Sequence, residues 1–301
     1  MTSIALQLPQ LSRLWLFDCG EGTQHQILRS SVKLSQLDKI FITHLHGDHL
    51  FGLSGLLASR SLQNGGQTAV TIYGPTGLAE YLRATLEISR TRLGYPISVE
   101  RVTPGTVFED DYATVICAPM RHGVESYGYA VVEKDQRGRF DVERARSLGI
   151  PPGPIYGKLK AGGTVTLESG EVIDGADLTG PHIRGRKFAF CGDTAFHQGA
   201  IELARGADLL VHEATYIGAD AHLAERANHS TSVSAAETAR LAGVYRLLLT
   251  HFSLRYESEG NPSLDDLLQE ARGIFPATSL AHDFLTVDVQ RAEAPDVQVA
   301  S

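Results

Sequence analysis

The segment from Thr43 to His49 constrains this chain more than any other. Its sequence, Thr-His-Leu-His-Gly-Asp-His, follows the apolar run 39–42 and precedes the apolar run 50–57. This order predicts a buried strand, a tight polar turn and then a helix. Neutral imidazole and carboxylate are preferred protein ligands for zinc, so the turn predicts a metal site. A chance accumulation of histidines in a polar loop is the alternative, and the spacing of four ligand-type residues directly after a strand argues against it. Those residues are His44, His46, Asp48 and His49.

Length and composition set outer limits. A chain of 301 residues can form one large α/β domain or two small ones. No apolar run approaches the roughly 20 residues that span a bilayer, and no basic stretch leads into an apolar one at the N-terminus, so we expect no membrane segment and no signal peptide. The three cysteines lack a Cys-x-x-Cys pair, which favours buried thiols in a reducing cytoplasm. The net charge of −8 argues against non-specific nucleic-acid binding by the whole surface, although a local basic patch stays open.

Four further apolar runs end in ligand-type or catalytic-type residues. Alone, each would be weak evidence, and His122 by itself would more often be a structural or surface histidine. Together with the first turn they predict a single site along one edge of a layered α/β sheet. The runs and the residues that follow or end them are 114–118 with His122, 187–190 with Asp193, 208–211 with His212 and Glu213, and 245–249 with His251.

The remaining elements fit an α/β architecture. Strands are predicted at 4–8, 14–17, 69–73 and 284–289, and helices at 230–242, after Ser263, and from a Thr76 cap to about Ile88. The tail after Gln290 is expected to be disordered. Asp18 lies just past the second strand. It can hydrogen-bond to a metal ligand without binding the metal itself, or it can cap a turn and helix, and residue type alone does not choose between these roles.

The segment 134–181 differs in texture from its surroundings, because it is rich in Gly and Pro and has few long apolar runs. It predicts an excursion from the fold. Between Lys134 and Lys160 there are seven basic and three acidic residues, which gives this stretch a net charge of +4 within an acidic chain. Such an arm suits a polyanion, but charge alone favours an ordinary solvated loop.

The ligand pattern carries a family resemblance. The sequence His44-x-His46-x-Asp48-His49, followed by His122, Asp193 and His251, resembles the metallo-β-lactamase superfamily. Segments 17–24, 212–215 and 229–231 resemble motifs of the ribonuclease Z family, the tRNA 3′-processing endonucleases. The resemblance spans nearly all of 1–301 as one domain and implies a four-layer αββα sandwich. The basic insertion 134–181 lies where the short-form family carries its tRNA-gripping arm, so we expect it to be a flexible arm inserted in the sandwich.

The resemblance also implies residue roles. One zinc ion would be held by His44, His46 and His122, a second by Asp48, His49 and His251, with Asp193 bridging the two. Asp48 would also act as general base, and His229 as general acid oriented by Glu213. For Glu213 and His229, the alternative is a purely structural hydrogen bond between loop and helix. The implied tRNA contacts are Arg255, Lys158, Lys160, Gly153 and Pro154.

The implied reaction is cleavage of precursor tRNA after the discriminator base, leaving a 3′ hydroxyl, by a cytoplasmic homodimer with two zinc ions per subunit and no membrane contact. Manganese or iron could also occupy such ligands. The alternatives are another hydrolase on the same metal core, acting on a small phosphodiester or thioester, and a non-catalytic RNA-binding protein. Family members usually begin with one more strand and a Gly-Thr-Ser-x-Gly-x-Pro-type turn ahead of the position of Met1. If the protein lacks that strand, one sheet has an unprotected edge; a truncated sequence is the alternative.

Overall fold

The computed structural model describes residues 2–63, 68–167, 169–257 and 262–292. Contacts divide the chain into two compact units, one made of residues 1–132 and 186–301 and the other of residues 133–185. We call the first unit the body and the second the insertion, and describe each separately. Within the described ranges, no helix has the length and apolar character needed to cross a membrane.

Strands and helices alternate along much of the described chain. The strands are β1 (Ile4–Leu8), β2 (Arg13–Phe17), β3 (Leu37–Phe41), β4 (Val70–Gly74), β5 (Ile97–Arg101), β6 (Gly105–Glu109), β7 (Ala113–Pro119), β8 (Tyr127–Glu133), β9 (Thr164–Thr166), β10 (Val172–Asp174), β11 (Lys187–Phe190), β12 (Leu209–Glu213), β13 (Leu247–Thr250) and β14 (Thr278–Leu280). The helices are α1 (Thr23–Leu28), α2 (Gly47–Leu50), α3 (Leu53–Leu62), α4 (Leu78–Ile88), α5 (Val142–Ser147), α6 (Pro154–Lys160), α7 (Gln198–Ala204), α8 (Ala221–Ala227), α9 (Ser232–Ala242) and α10 (Leu264–Ile274).

The body contains two sheets. The first has the order β1-β2-β3-β4-β5, with β1 antiparallel to β2 and the other neighbours parallel. The second has the order β14-β13-β12-β11-β8-β7-β6, in which β11 to β14 are parallel. Within the described strands, β1 and β5 are the outer strands of the first sheet.

Side-chain alternation along the strands produces the layers. In β2, Leu14 and Leu16 pack into a core shared with α3 and α4, whereas Trp15 and Phe17 point into a second core between the sheets. Successive side chains of a strand face opposite sides of a sheet, so one strand feeds both cores. On the far side, the second sheet packs against α7, α9 and α10 through a third core rich in alanine. The layers are therefore helix, sheet, sheet and helix, and the predicted αββα sandwich is confirmed.

Aromatic rings fill the space between the sheets. Phe41 stacks between Phe17 and Tyr73, with both pairs of ring centroids 5.0 Å apart, and Phe17 meets Phe188 of the opposite sheet at 5.4 Å. Burying several aromatic rings together contributes strongly to stability, and their offset and tilted contacts favour one sheet-to-sheet arrangement. This rigid middle layer holds the parallel strands β3, β11, β12 and β13, whose carboxyl ends carry the polar loops.

The insertion has a small core of its own. The hairpin β9–β10, the helices α5 and α6 and a short 3-10 turn at Gly175–Leu178 surround it. Two isolated bridges, Gln136 with Ile183 and Phe140 with Thr179, join the two ends of the segment. Eight buried side chains form the core, namely Phe140, Ala145, Ile150, Tyr156, Leu159, Val165, Ile173 and Leu178.

Two local predictions were wrong. Residues 284–289 form no strand; Val287 and Val289 instead pack against the core between the sheets, and the last described strand is β14. Thr76 does not cap α4, because Gly77 takes the cap position with φ of +96° and no side-chain cap forms. Glycine adopts this backbone conformation without steric cost, so the chain turns into the helix there. Most of the tail predicted to be disordered, from residue 293 onward, lies outside the described residues.

Candidate metal centre

Three imidazoles converge on one point at the carboxyl edge of the sheets. His44 Nε2 lies 3.0 Å from His46 Nδ1, and His122 Nε2 lies 3.2 Å from the same atom. His44 and His46 follow β3, and His122 follows β7. Three ring nitrogens at this separation resemble one face of a zinc coordination shell, so this trio can hold one metal ion.

A second group of ligand-type atoms adjoins the first. Its members are Asp48, His49 and His251. Asp48 Oδ2 lies 3.2 Å from His251 Nε2 and 3.6 Å from His49 Nε2. Asp193 Oδ2 lies 3.3 Å from both His49 Nε2 and His251 Nε2, and 3.8 Å from His44 Nε2. Asp193 therefore lies between the two groups, at the position expected of a bridging carboxylate.

Two buried atoms show that these residues fit a cation. Among the described residues, His49 Nε2 and Asp193 Oδ1 are enclosed without any hydrogen-bond partner. Burying polar atoms in this way is costly unless a ligand satisfies them. Burial alone would lower the pKa of His49, but the carboxylates of Asp18 and Asp193 raise it to about 11. This pocket favours positive charge, which a divalent metal ion supplies.

Hydrogen bonds to the opposite ring nitrogens decide which atoms face the centre. His49 Nδ1–H donates to Asp18 Oδ2 at 2.7 Å, and His122 Nδ1–H donates to the carbonyl oxygen of Asn228 at 3.0 Å. Because Nδ1 is engaged in each ring, Nε2 is the nitrogen that faces the centre, and it can offer a lone pair to a metal ion that displaces its proton. Such outer partners fix ring orientation and raise ligand basicity.

Two threonine hydroxyls accept hydrogen bonds from two further ligand histidines in the same way. The Thr43 hydroxyl donates to Asp18, so it accepts from His44 Nδ1–H at 3.0 Å. The Thr215 hydroxyl donates to Glu213 Oε2 at 2.5 Å and accepts from His251 Nδ1–H at 2.8 Å. Burial lowers the pKa of His44 to about 2, which keeps this ring neutral and able to bind a metal.

Asp18 connects the first sheet to the centre. It is fully buried, adopts a left-handed backbone with φ of +58°, and accepts hydrogen bonds from His49 and from both the amide and hydroxyl of Thr43. Of the two roles left open by the sequence, support of a metal ligand is the one that the contacts favour. A Cβ on Gly20, two residues later, would lie 2.1 Å from the backbone oxygen of Asp48. A glycine is required here because two backbones of the site meet.

Glu213 and His229 form a second polar pair beside the ligands. His229 Nδ1–H donates to Glu213 Oε1 at 2.8 Å. Glu213 is buried and also accepts from the amides of Thr194 and Thr215, at 2.9 and 3.2 Å. Burial alone would lower the pKa of His229, but its hydrogen bond to Glu213 and the nearby negative charge raise it above 6.5. His229 can therefore carry a proton at the edge of the centre.

The remaining residues singled out by the sequence lie elsewhere. Arg255 forms an ion pair with Asp220 at 3.3 Å, and its guanidinium lies 5.5 Å from the ring centroid of Tyr216. In the insertion, Lys158 and Lys160 are exposed near the end of α6, and Gly153 and Pro154 are exposed at its start. These five tRNA contacts stay predictions.

Sequence reasoning missed two participants. Thr215 joins Glu213 to His251, and Tyr216 lies against His229 with ring centroids 6.3 Å apart. Thr215 follows Glu213 by two residues, at the end of β12, so a polar residue at that strand end was the available signal. Tyr216 gave no signal, because its contact with His229 depends on how α8 and the following loop return to the sheet edge.

The fold and the paired ligand groups define a class, the metal-dependent hydrolases of the β-lactamase superfamily. The sequence model of the protein family described as the beta-lactamase superfamily domain matches residues 13–140 and 165–252. Two bacterial proteins named ribonuclease Z are similar over nearly the whole chain. The protein of Trichodesmium erythraeum (strain IMS101) is 58% identical over 292 residues, covering 97% of this chain and 90% of its own. That of Nostoc sp. (strain PCC 7120 / SAG 25.82 / UTEX 2576) is 56% identical over 295 residues, covering 98% and 91%. The chain belongs to the ribonuclease Z family.

A solved structure agrees with this assignment. The crystal structure of human tRNase Z, short form, is 30% identical in sequence, has a TM-score of 0.69, and is matched over 96% of this chain and 92% of its own. The family expected from the motifs and the αββα sandwich that the resemblance implied are both confirmed.

Proposed function

We propose that this chain is an endoribonuclease that removes the 3′ trailer from precursor tRNA, cutting after the discriminator base and leaving a 3′ hydroxyl. We further propose two zinc ions per subunit, a homodimeric assembly and a cytoplasmic location. The observation that carries the proposal is the placement of the Glu213–His229 pair beside seven ligand-type residues. A hydrolase that expels a good leaving group can work without a proton donor, whereas a nuclease that expels a poorly acidic sugar hydroxyl benefits from one.

The proposed ligands fall into the two groups already described. His44, His46 and His122 would hold one ion and Asp48, His49 and His251 the other, with Asp193 shared between them. When bound, such ions acidify a water molecule and stabilise the charge that develops on a phosphodiester during attack.

Asp48 differs from the other carboxylate of the centre because it is partly open to solvent. Its side chain is 40% exposed, against 3% for Asp193. His251 Nε2 lies 3.2 Å from one Asp48 oxygen, and the neighbouring histidines hold the pKa of this carboxyl well below its usual range. Asp48 therefore stays ionised and can orient the attacking water or accept its proton.

His229 is proposed as the general acid. Glu213 fixes its Nδ1, so Nε2 is the nitrogen that can donate a proton to the leaving 3′ oxygen. Because Glu213 itself is held by the Thr194 and Thr215 amides, the imidazole cannot rotate freely. A positioned acid of this kind contributes about 10²- to 10⁴-fold to a rate.

The insertion is proposed to bind the body of the tRNA. Its exposed basic side chains include Arg137, Arg139, Lys158 and Lys160. RNA helices are recognised mainly through shape and backbone contacts, so exposed charge on a small folded unit is sufficient. The exposed residues Gly153 and Pro154 and the ion-paired Arg255 are proposed as further contacts.

The decisive experiment uses the purified, metal-loaded chain and a precursor tRNA with a 3′ trailer. We expect one cut after the discriminator base, abolished by a chelator and restored by added zinc. Hydrolysis of a small phosphodiester without cleavage of the precursor tRNA would contradict the proposed substrate while leaving a working metal centre. Persistence of the cut after complete chelation would contradict the metal-dependent mechanism.

A further inference from the structure

Every loop that carries a proposed metal ligand also carries one exposed, large apolar side chain. Each lies two or three residues after the last ligand of its loop. We call this set the apolar collar. Its members, with their exposed fractions, are Phe51 (63%), Val124 (41%), Phe196 (44%) and Leu254 (75%).

Phe51 shows how closely one member is associated with the centre. A Cβ placed on Gly47 would lie 2.4 Å from its ring, so the ring rests directly on the backbone between His46 and Asp48. Most of the ring is nevertheless open to solvent. The glycine thus permits an aromatic platform immediately beside two ligands.

Exposed apolar side chains on the ligand loops are unexpected at a site for a polyanion. Phosphate groups would be met by basic side chains, and exposed apolar groups around a polar centre usually mark a binding surface. The parts of an RNA that do prefer apolar surface are the faces of unpaired bases, which stack on aromatic rings. A trailer and the unpaired end of an acceptor stem supply such bases on both sides of the bond to be cut.

We propose that the apolar collar binds the unpaired bases that flank the scissile phosphate, with Phe51 and Phe196 supplying the stacking faces. This inference rests on the proposed function, because it requires an RNA substrate. Stacking on one aromatic ring changes affinity by roughly 5- to 150-fold, so the collar would contribute measurably to kcat/KM without touching the reacting atoms.

The test is a double-mutant cycle in which one change is made in the protein and the other in the substrate. Precursor tRNAs are prepared with natural nucleotides or with abasic nucleotides on the two sides of the cleavage site. They are cut by the wild-type protein and by the variants F51A, F196A and F51W. L62A serves as the matched control, since Leu62 is 85% exposed and lies at the last residue of α3, away from the ligand loops in the sequence.

We expect F51A and F196A each to lower kcat/KM on the natural substrate by roughly tenfold, and to have little effect on the abasic one. F51W should retain activity, because it keeps a stacking face, and L62A should match the wild type. Equal losses on both substrates would overturn the inference. So would a change from dimer to monomer in F51A, measured by light scattering, since the collar would then contact a second copy of the chain. If the wild-type protein leaves the natural substrate uncut, the proposed function fails and the inference fails with it; a wild-type protein that cuts without any coupling overturns the inference alone.

Discussion

The body and the insertion place their functional side chains in opposite ways. In the body, three of the seven ligand-type residues, His44, His49 and Asp193, are buried. Each Nδ1–H of His44, His49, His122 and His251 has a defined acceptor. In the insertion, the basic side chains lie on the surface of an eight-residue core. Catalysis depends on groups held in place before the reaction, whereas binding a polyanion needs mainly charge and shape. We therefore propose that the body determines the rate of cleavage and the insertion the affinity for the substrate.

The largest effect that tests this division is expected from His229→Ala. Loss of the general acid should lower cleavage of precursor tRNA by about 10²- to 10⁴-fold. Hydrolysis of bis(p-nitrophenyl) phosphate should change little, because p-nitrophenol leaves without a proton donor. Metal content, measured by elemental analysis, should be unchanged.

His25→Ala is the matched control, since His25 is an exposed histidine on α1. If H229A loses both activities together with its metal, His229 is a ligand and the proposed role is wrong. If it loses neither, the hydrogen bond to Glu213 is structural, which is the alternative that the sequence left open.

Removing the insertion should separate affinity from rate. Gln136 and Ile183 are antiparallel bridge partners, so residues 137–182 can be replaced by a two-residue Asn-Gly turn. We expect kcat/KM for precursor tRNA to fall by at least roughly 100-fold, mainly through KM, because several phosphate contacts are lost together. Hydrolysis of the small phosphodiester should persist.

Thermal unfolding would show whether the shortened body remains folded. Equal loss of both activities in a folded protein would contradict the division between body and insertion. Full retention of tRNA cleavage would remove the insertion from substrate binding altogether.

The two regions also differ in what their sequence allowed us to predict. The metal centre follows from local order, because an apolar strand that ends in ligand-type residues delivers them to the sheet edge wherever the strand lies. The insertion's core does not follow, because Phe140 and Ile150 lie outside its helices and strands and Leu159 lies in the seven-residue α6, which is too short to produce a readable period. Its Gly and Pro content suggested an excursion and hid a small folded unit.

The errors in the body have a similar cause. Val287 and Val289 alternate as strand residues do, and both are partly buried against the core between the sheets, but the segment forms no strand. Alternation reports which side chains are buried, not whether the backbone has a partner. The role of Asp18 was undecidable for a related reason, since its contact with His49 joins residues 31 positions apart.

Asp18→Asn tests how much the centre depends on its outer hydrogen bonds. The substitution keeps the size of the side chain but removes the negative charge that accepts His49 Nδ1–H. We expect metal affinity to fall by about 10- to 100-fold, measured by competition with a chromogenic chelator. Asp111→Asn, at an exposed carboxylate, is the control. An unchanged affinity would show that His49 is oriented by packing alone.

The smallest effect is expected on the insertion, from the double substitution K158Q and K160Q. If both lysines contact phosphate, the dependence of log K on log salt should become shallower by roughly one to two units, and affinity at low salt should fall more than affinity at high salt. The exposed pair Lys33 and Arg83 in the body, changed to glutamine together, removes the same charge and should leave the slope unaltered. Both slopes would be measured by filter binding of precursor tRNA to the chelated protein, which cannot cut it. Equal slopes for the two double variants would mean that the net charge of the chain, not the surface of the insertion, attracts the RNA. The proposed difference between the body and the insertion would then no longer include a difference in electrostatic attraction.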